Sequence, residues 1–472
     1  MASPGDRCRW RIPEAYSRNV DNLGRERDFV DFGSSGAQKW TRRPPGKQSQ
    51  NFRTNGNMTA ISLPPEETRP KSFHEVWLIT AGHSLTHWYP ATFYLLLPLI
   101  GNELGLSYVQ IGSILTVQAA AGAISNIPGG LVVDSVGRQG LLMALSLFWI
   151  GAPYLLMGFS HDYWLLLTCA ALVGIGNNLW HPTAIPLLAE HFPGRKGLAV
   201  SIHGMGGNVG DAIAPFVAGA LLAHLTWREV VIVNVIPGIV MSVILLICLG
   251  SIQAKNYAEP RLAPDGTERK RRTLSDVLND FPQLLSNKTL IFLCASSIFR
   301  SMTHGGLMTF LPLFLARELN YSPLWIGAAM AALQTAGFVA SPIAGHLSDK
   351  MGRRQIMTSS MTVTALIIVG MIFAGQSTAF VYLIAFLGFF FFSIRAVLQA
   401  WLLDATPPHM GGSSIGLLFA IQAVGSSIGP LVCGMIADSY GLLATFYFLV
   451  ATIIVANMFI FFTPMPNEQR GV

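Results

Sequence analysis

The chain has little charge for its length. Charged residues make up 12% of its 472 residues, whereas hydrophobic residues make up 51%. Soluble globular proteins carry about a quarter charged residues. This composition argues against a water-soluble fold and indicates that lipid is the main solvent of the folded chain.

Cysteine is also scarce. The chain has five cysteines, no two of them form a C-x-x-C pair, and four lie within apolar runs: Cys169, Cys248, Cys294 and Cys433. We therefore expect no disulfide and no structural zinc site. The phosphate-binding pattern G-x-x-x-x-G-K-[ST] is missing too, which argues against ATP as an energy source.

The net charge of +6 suggests a nucleic-acid partner, but its distribution argues against one. Residues 1–72 hold 13 Lys or Arg and 8 Asp or Glu, which leaves 18 against 17 in the rest. Because this segment is rich in Arg, Pro, Gly, Asn and Ser and has no sustained period, we expect a disordered cytoplasmic tail. Met58 opens a stretch typical of a short cytoplasmic leader, and we expect translation to begin there.

Twelve apolar runs follow the tail, each long enough to cross a hydrocarbon core, which takes about 20 helical residues. Only helices satisfy their own backbone in lipid without neighbours, so the sequence predicts an all-α membrane protein. The predicted spans are 75–100, 107–133, 140–159, 163–190, 198–223, 229–250, 289–316, 323–348, 355–375, 379–404, 413–437 and 441–463. The predicted organisation is a cytoplasmic tail (1–72), an N-terminal six-helix bundle (73–250), a cytoplasmic linker (251–288), a C-terminal six-helix bundle (289–463) and a second cytoplasmic tail (464–472).

Lysine and arginine are unevenly distributed among the short loops. Loops on the side of the linker hold Arg138, Arg195, Lys196, Lys350, Arg353 and Arg354, whereas the other side holds Arg228 and Arg317. By the positive-inside rule both termini are cytoplasmic. We expect a monomeric, multi-pass protein of a cell membrane such as the bacterial inner membrane.

The two halves of the chain repeat each other at an offset of 215 residues. "ELGLSYVQIG" from Glu103 matches "ELNYSPLWIG" from Glu318, and "VGDAIAPFVAG" from Val209 matches "VGSSIGPLVCG" from Val424. Six spans followed by six similar spans share one orientation, so an axis along the membrane normal relates the bundles. That arrangement is typical of major facilitator transporters.

Two D-x-x-G-R turns, each with a glycine four residues before the aspartate, resemble the loop signature of the major facilitator family. They contain Gly130, Asp134, Gly137 and Arg138 in one half, and Gly345, Asp349, Gly352 and Arg353 in the other. The resemblance implies that they form a cytoplasmic latch that favours the outward-facing state. The alternative is that they are only capped, positively charged turns. Residues 171–219 also resemble the branch that contains the fosmidomycin-resistance efflux proteins.

A histidine motif recurs inside two of the apolar runs. "HSLTHWYPATF" begins at His83 and "RSMTHGGLMTF" begins at Arg300. His83 and His87 are four residues apart and therefore share one face of the first helix. Arg300 and His304 stand at the matching positions of the seventh helix.

Charge is almost absent from the interiors of the predicted spans. Of the 35 charged side chains after residue 72, only Asp211, Arg300 and Arg395 lie well inside one. At 1.5 Å per residue, these groups and the histidines lie roughly 12 to 20 Å from the cytoplasmic ends of their helices. A polar layer at one depth indicates a central binding site.

The family resemblance implies that helices 1, 4, 7 and 10 line the central cavity. Its candidate substrate-binding residues are then His83, His87, His181, Arg300, His304 and Arg395. Such a lining favours a small anionic or polar organic solute. Asp211, the sole acid at that depth, is the candidate for proton coupling.

Each of these residues also has a structural interpretation. The histidines on helices 1 and 7 can serve as interhelical hydrogen-bonding groups, and His181, which precedes a proline, can mark a kink. Asp211 can form a buried ion pair with Arg300 or Arg395 across the two halves.

The function that fits these observations is secondary active transport of a small polar or anionic organic molecule, including drug efflux, as a proton antiporter in the lipid bilayer. On this interpretation the protein is not an enzyme and needs no cofactor or metal. One alternative is an intramembrane metalloenzyme, suggested by H-x-x-x-H at His83 and His87, although the Glu of H-E-x-x-H is missing. The other is a transporter-like receptor.

Overall fold

The computed structural model describes residues 73–464, except 178, 193–194, 253–260, 263–267, 270–281, 283, 285, 376, 378 and 408–409. The predicted tail 1–72 with its start at Met58, most of the linker 251–288 and nearly all of the tail 464–472 lie outside the described residues.

Helices make up nearly all of the described chain. They are α1 (His74–Glu103), α2 (Tyr108–Val136), α3 (Gln139–Met157), α4 (Tyr163–Asn177), α5 (Trp180–His191), α6 (Lys196–Leu221), α7 (Trp227–Leu249), α8 (Lys288–Arg317), α9 (Pro323–Met351), α10 (Arg353–Ala374), α11 (Ala379–Asp404), α12 (Gly411–Tyr440) and α13 (Leu442–Phe461). The described part of the linker also contains a two-residue antiparallel pair, β1 (Arg261–Leu262) with β2 (Glu268–Arg269).

Every predicted span coincides with helix, but the fourth is divided. One helix ends at Asn177 and the next begins at Trp180. Pro182 has no N–H to donate to the carbonyl four residues earlier, so an unbroken helix through this point would lose a hydrogen bond. Other helices continue through an internal proline, such as Pro128 in α2 and Pro215 in α6, and residue 178 at the interruption lies outside the described residues.

Eight helical segments of the described chain are long and apolar enough to cross a membrane. Large apolar side chains also remain exposed on the helices, among them Phe373 at 85% and Tyr382 at 71%. An exposed apolar surface of this extent suits a protein that is solvated by lipid.

The internal repeat is visible in the backbone. Gly105 and Asn320, 215 residues apart, have φ values of 60° and 54°. Gly137 and Gly352, also 215 residues apart, have φ values of 64° and 96° and end α2 and α9. Equivalent turns in the two halves thus use a residue with positive φ at the same position, a conformation that glycine adopts readily.

Two matched seams join the halves of the chain. Helix α2 packs against α12, and α6 packs against α9. A Cβ atom on Gly112 would collide with the carbonyl oxygen of Pro430, and a Cβ atom on Gly327 would collide with that of Pro215. The repeated glycine and proline positions therefore form the same close helix contact twice.

Polar contacts reinforce the seam between α2 and α12. The Asp438 carboxylate accepts hydrogen bonds from the backbone N–H groups of Tyr108 and Val109 at 2.8 and 2.9 Å. About two turns further along α2, the Thr116 hydroxyl donates to the Ser427 carbonyl at 2.5 Å. These bonds satisfy amide groups at the start of α2, so they fix the end of the seam that is farther from the linker.

The opposite ends of the seam helices are more open. Near the linker side, a Cβ atom on Gly197, Gly204, Gly345 or Gly416 would meet nothing within 4 Å. The described close approaches between α2 and α12, and between α6 and α9, therefore lie toward the ends away from the linker.

We expect Gly112→Ala to destabilise the protein, whereas Gly416→Ala serves as the control. Both substitutions gain the same helix propensity, but only the first pushes a methyl group into a neighbouring backbone. Overpacking costs about 1–3 kcal/mol, so the melting temperature of Gly112→Ala in detergent should fall below that of the control. Equal melting temperatures of the two variants would show that the contact between α2 and α12 accommodates the added methyl group without losing stability.

Candidate functional site

Three helices of the N-terminal half bring polar side chains together. His83 and His87 lie on α1, His181 lies on α5, and His203 and Asp211 lie on α6. Their rings form a continuous cluster with centroid separations between 4.0 and 6.4 Å. The sequence therefore folds so that four histidines and one carboxylate share a single site.

Glycines of α6 allow this approach. A Cβ atom on Gly207 would lie 2.9 Å from both His83 Cε1 and His87 Nε2. A Cβ atom on Gly210 would collide with the Ser84 carbonyl. The glycine-rich sequence of α6 thus lets its backbone lie directly against the histidine face of α1.

His83 is the buried centre of the cluster, with 4% of its surface exposed. Its Nδ1 lies 2.7 Å from the carbonyl oxygen of His203, and its Nε2 lies 3.1 Å from Nε2 of His181. Because a carbonyl only accepts, Nδ1 of His83 carries a proton. In the neutral ring Nε2 then accepts, and His181 donates to it.

His87 forms an ion pair with Asp211. Its Nδ1 lies 3.0 Å from Oδ2 of the carboxylate, and about a quarter of each side chain is exposed. Among the described residues, Asp211 forms no ion pair with Arg300 or Arg395. The alternative of an ion pair across the halves is therefore not what the described residues form, because the carboxylate meets an imidazole on the adjacent α1.

His203 is a member of the cluster that the sequence analysis missed. Its side chain is 2% exposed, stacks on His83 with ring centroids 4.0 Å apart, and has no hydrogen-bond partner at either ring nitrogen. The signal for it was present, since positions 203, 207 and 211 are spaced four residues apart and share one face of α6.

The C-terminal half contributes a cationic and aromatic group. Arg300 on α8 is 4% exposed, and its guanidinium lies over the Phe391 ring at 5.0 Å. His304 stacks on Phe391 at 6.2 Å and meets Phe392 edge-on at 5.7 Å. The two phenylalanines on α11, which the sequence analysis also missed, pack beside the basic residues of α8.

Arg395 is within electrostatic range of residues in both groups. Its exposed side chain interacts electrostatically with His181 of the N-terminal half and with Arg300 and His304 of the C-terminal half. The six predicted substrate-binding residues thus form two clusters, one in each half, that are within electrostatic range of each other.

The two D-x-x-G-R turns differ in their described contacts. Arg353 pairs with Asp349 at 2.6 Å and with Asp404 at 3.1 Å. Arg138 donates to the carbonyl of Gly250 at 3.5 Å. The side chain of Asp134 lies outside the described residues, as does the surface environment of Gly130.

Comparison with known proteins identifies the family. The profile of the Major Facilitator Superfamily matches residues 76–302 and 293–471. The chain is 24% identical over 371 residues to the fosmidomycin resistance protein of Escherichia coli, covering 78% of this chain and 87% of that protein. It is 24% identical over 340 residues to the cis,cis-muconate transport protein of Acinetobacter baylyi, covering 72% of this chain and 81% of that protein.

A solved structure has the same fold. It is a bacterial homologue of the human lysosomal transporter Spinster, in an inward-facing, unoccupied conformation, and it superposes with a TM-score of 0.71 at 17% identity. The alignment covers 84% of this chain and 97% of that one, and at this identity it shows the fold alone. Since the family profile matches both halves around the polar clusters, the chain belongs to the Major Facilitator Superfamily of membrane transporters.

Proposed function

We propose that this protein is a proton-coupled secondary active transporter that moves a small anionic or polar organic molecule by alternating access. One observation carries the proposal: Arg300 and Arg395 lie within electrostatic range of each other, Arg395 also lies within range of His181, and neither arginine has an acidic partner among the described residues. The Nε atom of Arg300 is buried and has no hydrogen-bond partner.

The energetics favour an anionic ligand. A charge at the centre of a bilayer costs at least about 2.5 kcal/mol, and arginine cannot lose its proton to avoid that cost. Two guanidinium groups near one another therefore require negative charge or water. Because no described carboxylate supplies the charge, an anionic solute in the cavity is the natural partner.

The relatives agree with this class of solute. One of them is named for transport of cis,cis-muconate, which is an anion, and another for resistance to fosmidomycin. The rings of Phe391 and Phe392 beside Arg300 and His304 add a flat apolar surface. We infer a small organic anion with an unsaturated or apolar body, and export of a drug of this class fits the same site.

The proposed alternating-access mechanism needs twelve membrane spans arranged in two bundles. We infer six-helix bundles at 73–250 and 289–463, in which α4 and α5 together form the fourth span. Arginine and lysine on the linker side favour cytoplasmic termini in the cell membrane. On this topology the close seam contacts lie at the outer side, whereas open glycines face the cytoplasm, which corresponds to an inward-facing state of a monomer.

The D-x-x-G-R turns then act as a cytoplasmic latch in the opposite state. The inward-facing arrangement leaves Arg353 bound within its own half, to Asp349 and Asp404. In the outward-facing state the cytoplasmic ends of the bundles approach, and Gly130, Asp134, Gly137, Arg138 and their counterparts, including Gly345 and Gly352, come into range of each other.

Asp211 and His87 are the proposed proton-coupling pair. Both side chains are partly exposed, so water in the cavity reaches them. His83, His181 and His203 of the cluster lie around this pair. Tyr94 on α1 is within electrostatic range of Asp211, and Arg395 is within electrostatic range of His181. An acid beside an imidazole can load and release a proton as access alternates.

We expect Arg300→Gln and Arg395→Gln each to weaken binding of the transported anion. Hydrogen bonds to charged groups contribute about 1.5–3 kcal/mol, so the dissociation constant should rise about 10- to 150-fold. The ligand is first selected from phosphonates, sugar phosphates, carboxylates and cationic drugs by proton flux in proteoliposomes. Arg354→Gln, which removes an arginine that packs on Phe461, is the matched control. Selection of only cationic drugs would contradict the anionic site.

We expect Asp211→Asn to retain ligand binding but lose transport driven by a pH gradient. The amide oxygen still accepts the hydrogen bond from His87, so the local structure is kept while the titrating carboxylate is removed. Asp162→Asn, which alters an exposed acid at the start of α4, is the control. Unchanged dependence of uptake on the pH gradient in the Asp211 variant would refute its role.

A further inference from the structure

We propose that the histidine cluster is a metal site, in which His83, His87 and His181 bind a divalent transition-metal ion of the zinc class. Each ring offers one nitrogen, and the three nitrogens all lie within 4.8 Å of one another. Imidazole is a preferred ligand of Zn²⁺, Co²⁺, Ni²⁺ and Cu²⁺. The site goes beyond the proposed transport function and does not depend on it.

The distances fit a tetrahedral centre. Zinc–nitrogen bonds of about 2.0–2.1 Å at tetrahedral angles separate two ligand nitrogens by about 3.3 Å. Nε2 of His83 and Nε2 of His181 are 3.1 Å apart. The His83 ring lies 4.8 and 5.0 Å from the other two ring centroids, close to the roughly 5 Å expected for rings around one ion, whereas His87 and His181 are 6.4 Å apart and must move about 1 Å closer to share it.

Two of the three rings, those of His83 and His87, already use one ring nitrogen in a hydrogen bond. His83 donates from Nδ1 to the carbonyl of His203, and His87 donates from Nδ1 to the Asp211 carboxylate. Metal-binding histidines almost always make such a bond, because it fixes the tautomer and directs the other lone pair at the metal. Both Nε2 atoms are thereby prepared to bind the same ion, and the bond to Asp211 can remain in place while they do.

Three nitrogen ligands leave a fourth position. The cluster is open to the surroundings at His87, whose side chain is 27% exposed. A bound ion can therefore accept a water molecule or an oxygen of an anionic solute as its fourth ligand. Without an ion, the contact between His83 and His181 is a hydrogen bond that holds one proton, and this is the competing interpretation.

The sequence contained only part of this site. His83 and His87 form the H-x-x-x-H pattern, whose spacing places two ligands on one helix face. The third ligand is 94 residues away from His87 on α5, and the supporting carboxylate is on α6. The missing Glu of H-E-x-x-H argues against hydrolytic chemistry but not against binding, because a metal site needs ligands rather than a general base.

The test is metal binding by the full chain, purified without a polyhistidine tag and stripped with EDTA. Titration with Zn²⁺ by calorimetry should give one site per chain, and Co²⁺ should give the visible absorption bands of a tetrahedral nitrogen site. We expect His83→Gln and His181→Gln to weaken Zn²⁺ binding at least 100-fold, and Asp211→Asn to weaken it 10- to 100-fold. His346→Gln, which changes an exposed histidine on α9, should leave it unaltered.

Two results would overturn the site: no stoichiometric binding by the wild-type chain, or equal affinity in His83→Gln, His181→Gln and wild type. Melting temperatures of the metal-free variants identify a variant that fails to fold. Transport of the selected anion is measured in parallel vesicles with and without EDTA. Anion transport by a chain that binds no Zn²⁺ would reject the metal site alone, whereas Zn²⁺ binding without anion transport would reject only the proposed function.

Discussion

The structure depends on how polar side chains inside a lipid-solvated protein obtain partners. In the N-terminal half the glycine-rich face of α6 lies against α1, so Asp211 reaches His87 and the carbonyl of His203 reaches His83. In the C-terminal half the buried Arg300 has an aromatic ring over its guanidinium but no described acid. The acid of the N-terminal half thus has a basic partner within that half, whereas Arg300 leaves positive charge for something else to neutralise.

This asymmetry is built on a symmetric scaffold. The repeat reproduces turn conformations and helix contacts, as Gly112 on Pro430 and Gly327 on Pro215 demonstrate. Within the same scaffold, the first helices of the two halves carry different side chains: His83 and His87 on α1, and Arg300 and His304 on α8. A neutral imidazole can share a proton or bind an ion, whereas a guanidinium holds a permanent charge. The duplicated fold therefore carries two chemically different polar groups, one in each half.

Much of the fold follows from the sequence because lipid leaves few alternatives to helices. The positions of the helices and the glycines with positive φ were predictable from apolar runs and repeated motifs. Side-chain partners were less predictable. Asp211 and His203 share a face of α6, but periodicity within one helix does not tell which neighbouring helix that face meets.

The difference between the two polar groups gives the histidine cluster a role in the proposed transport cycle that the arginines cannot have. An isolated basic group in a cavity attracts an anion equally well in every state of the transporter, and such uniform attraction cannot drive a conformational change. A cluster that can gain or lose a proton or a metal ion changes the charge that faces Arg395, which becomes more positive when either is bound. In the transporter proposed above, that change alters the electrostatic field at the anion site while the charge of Arg300 stays constant, so the state of the histidine cluster can determine how strongly the arginines retain an anion.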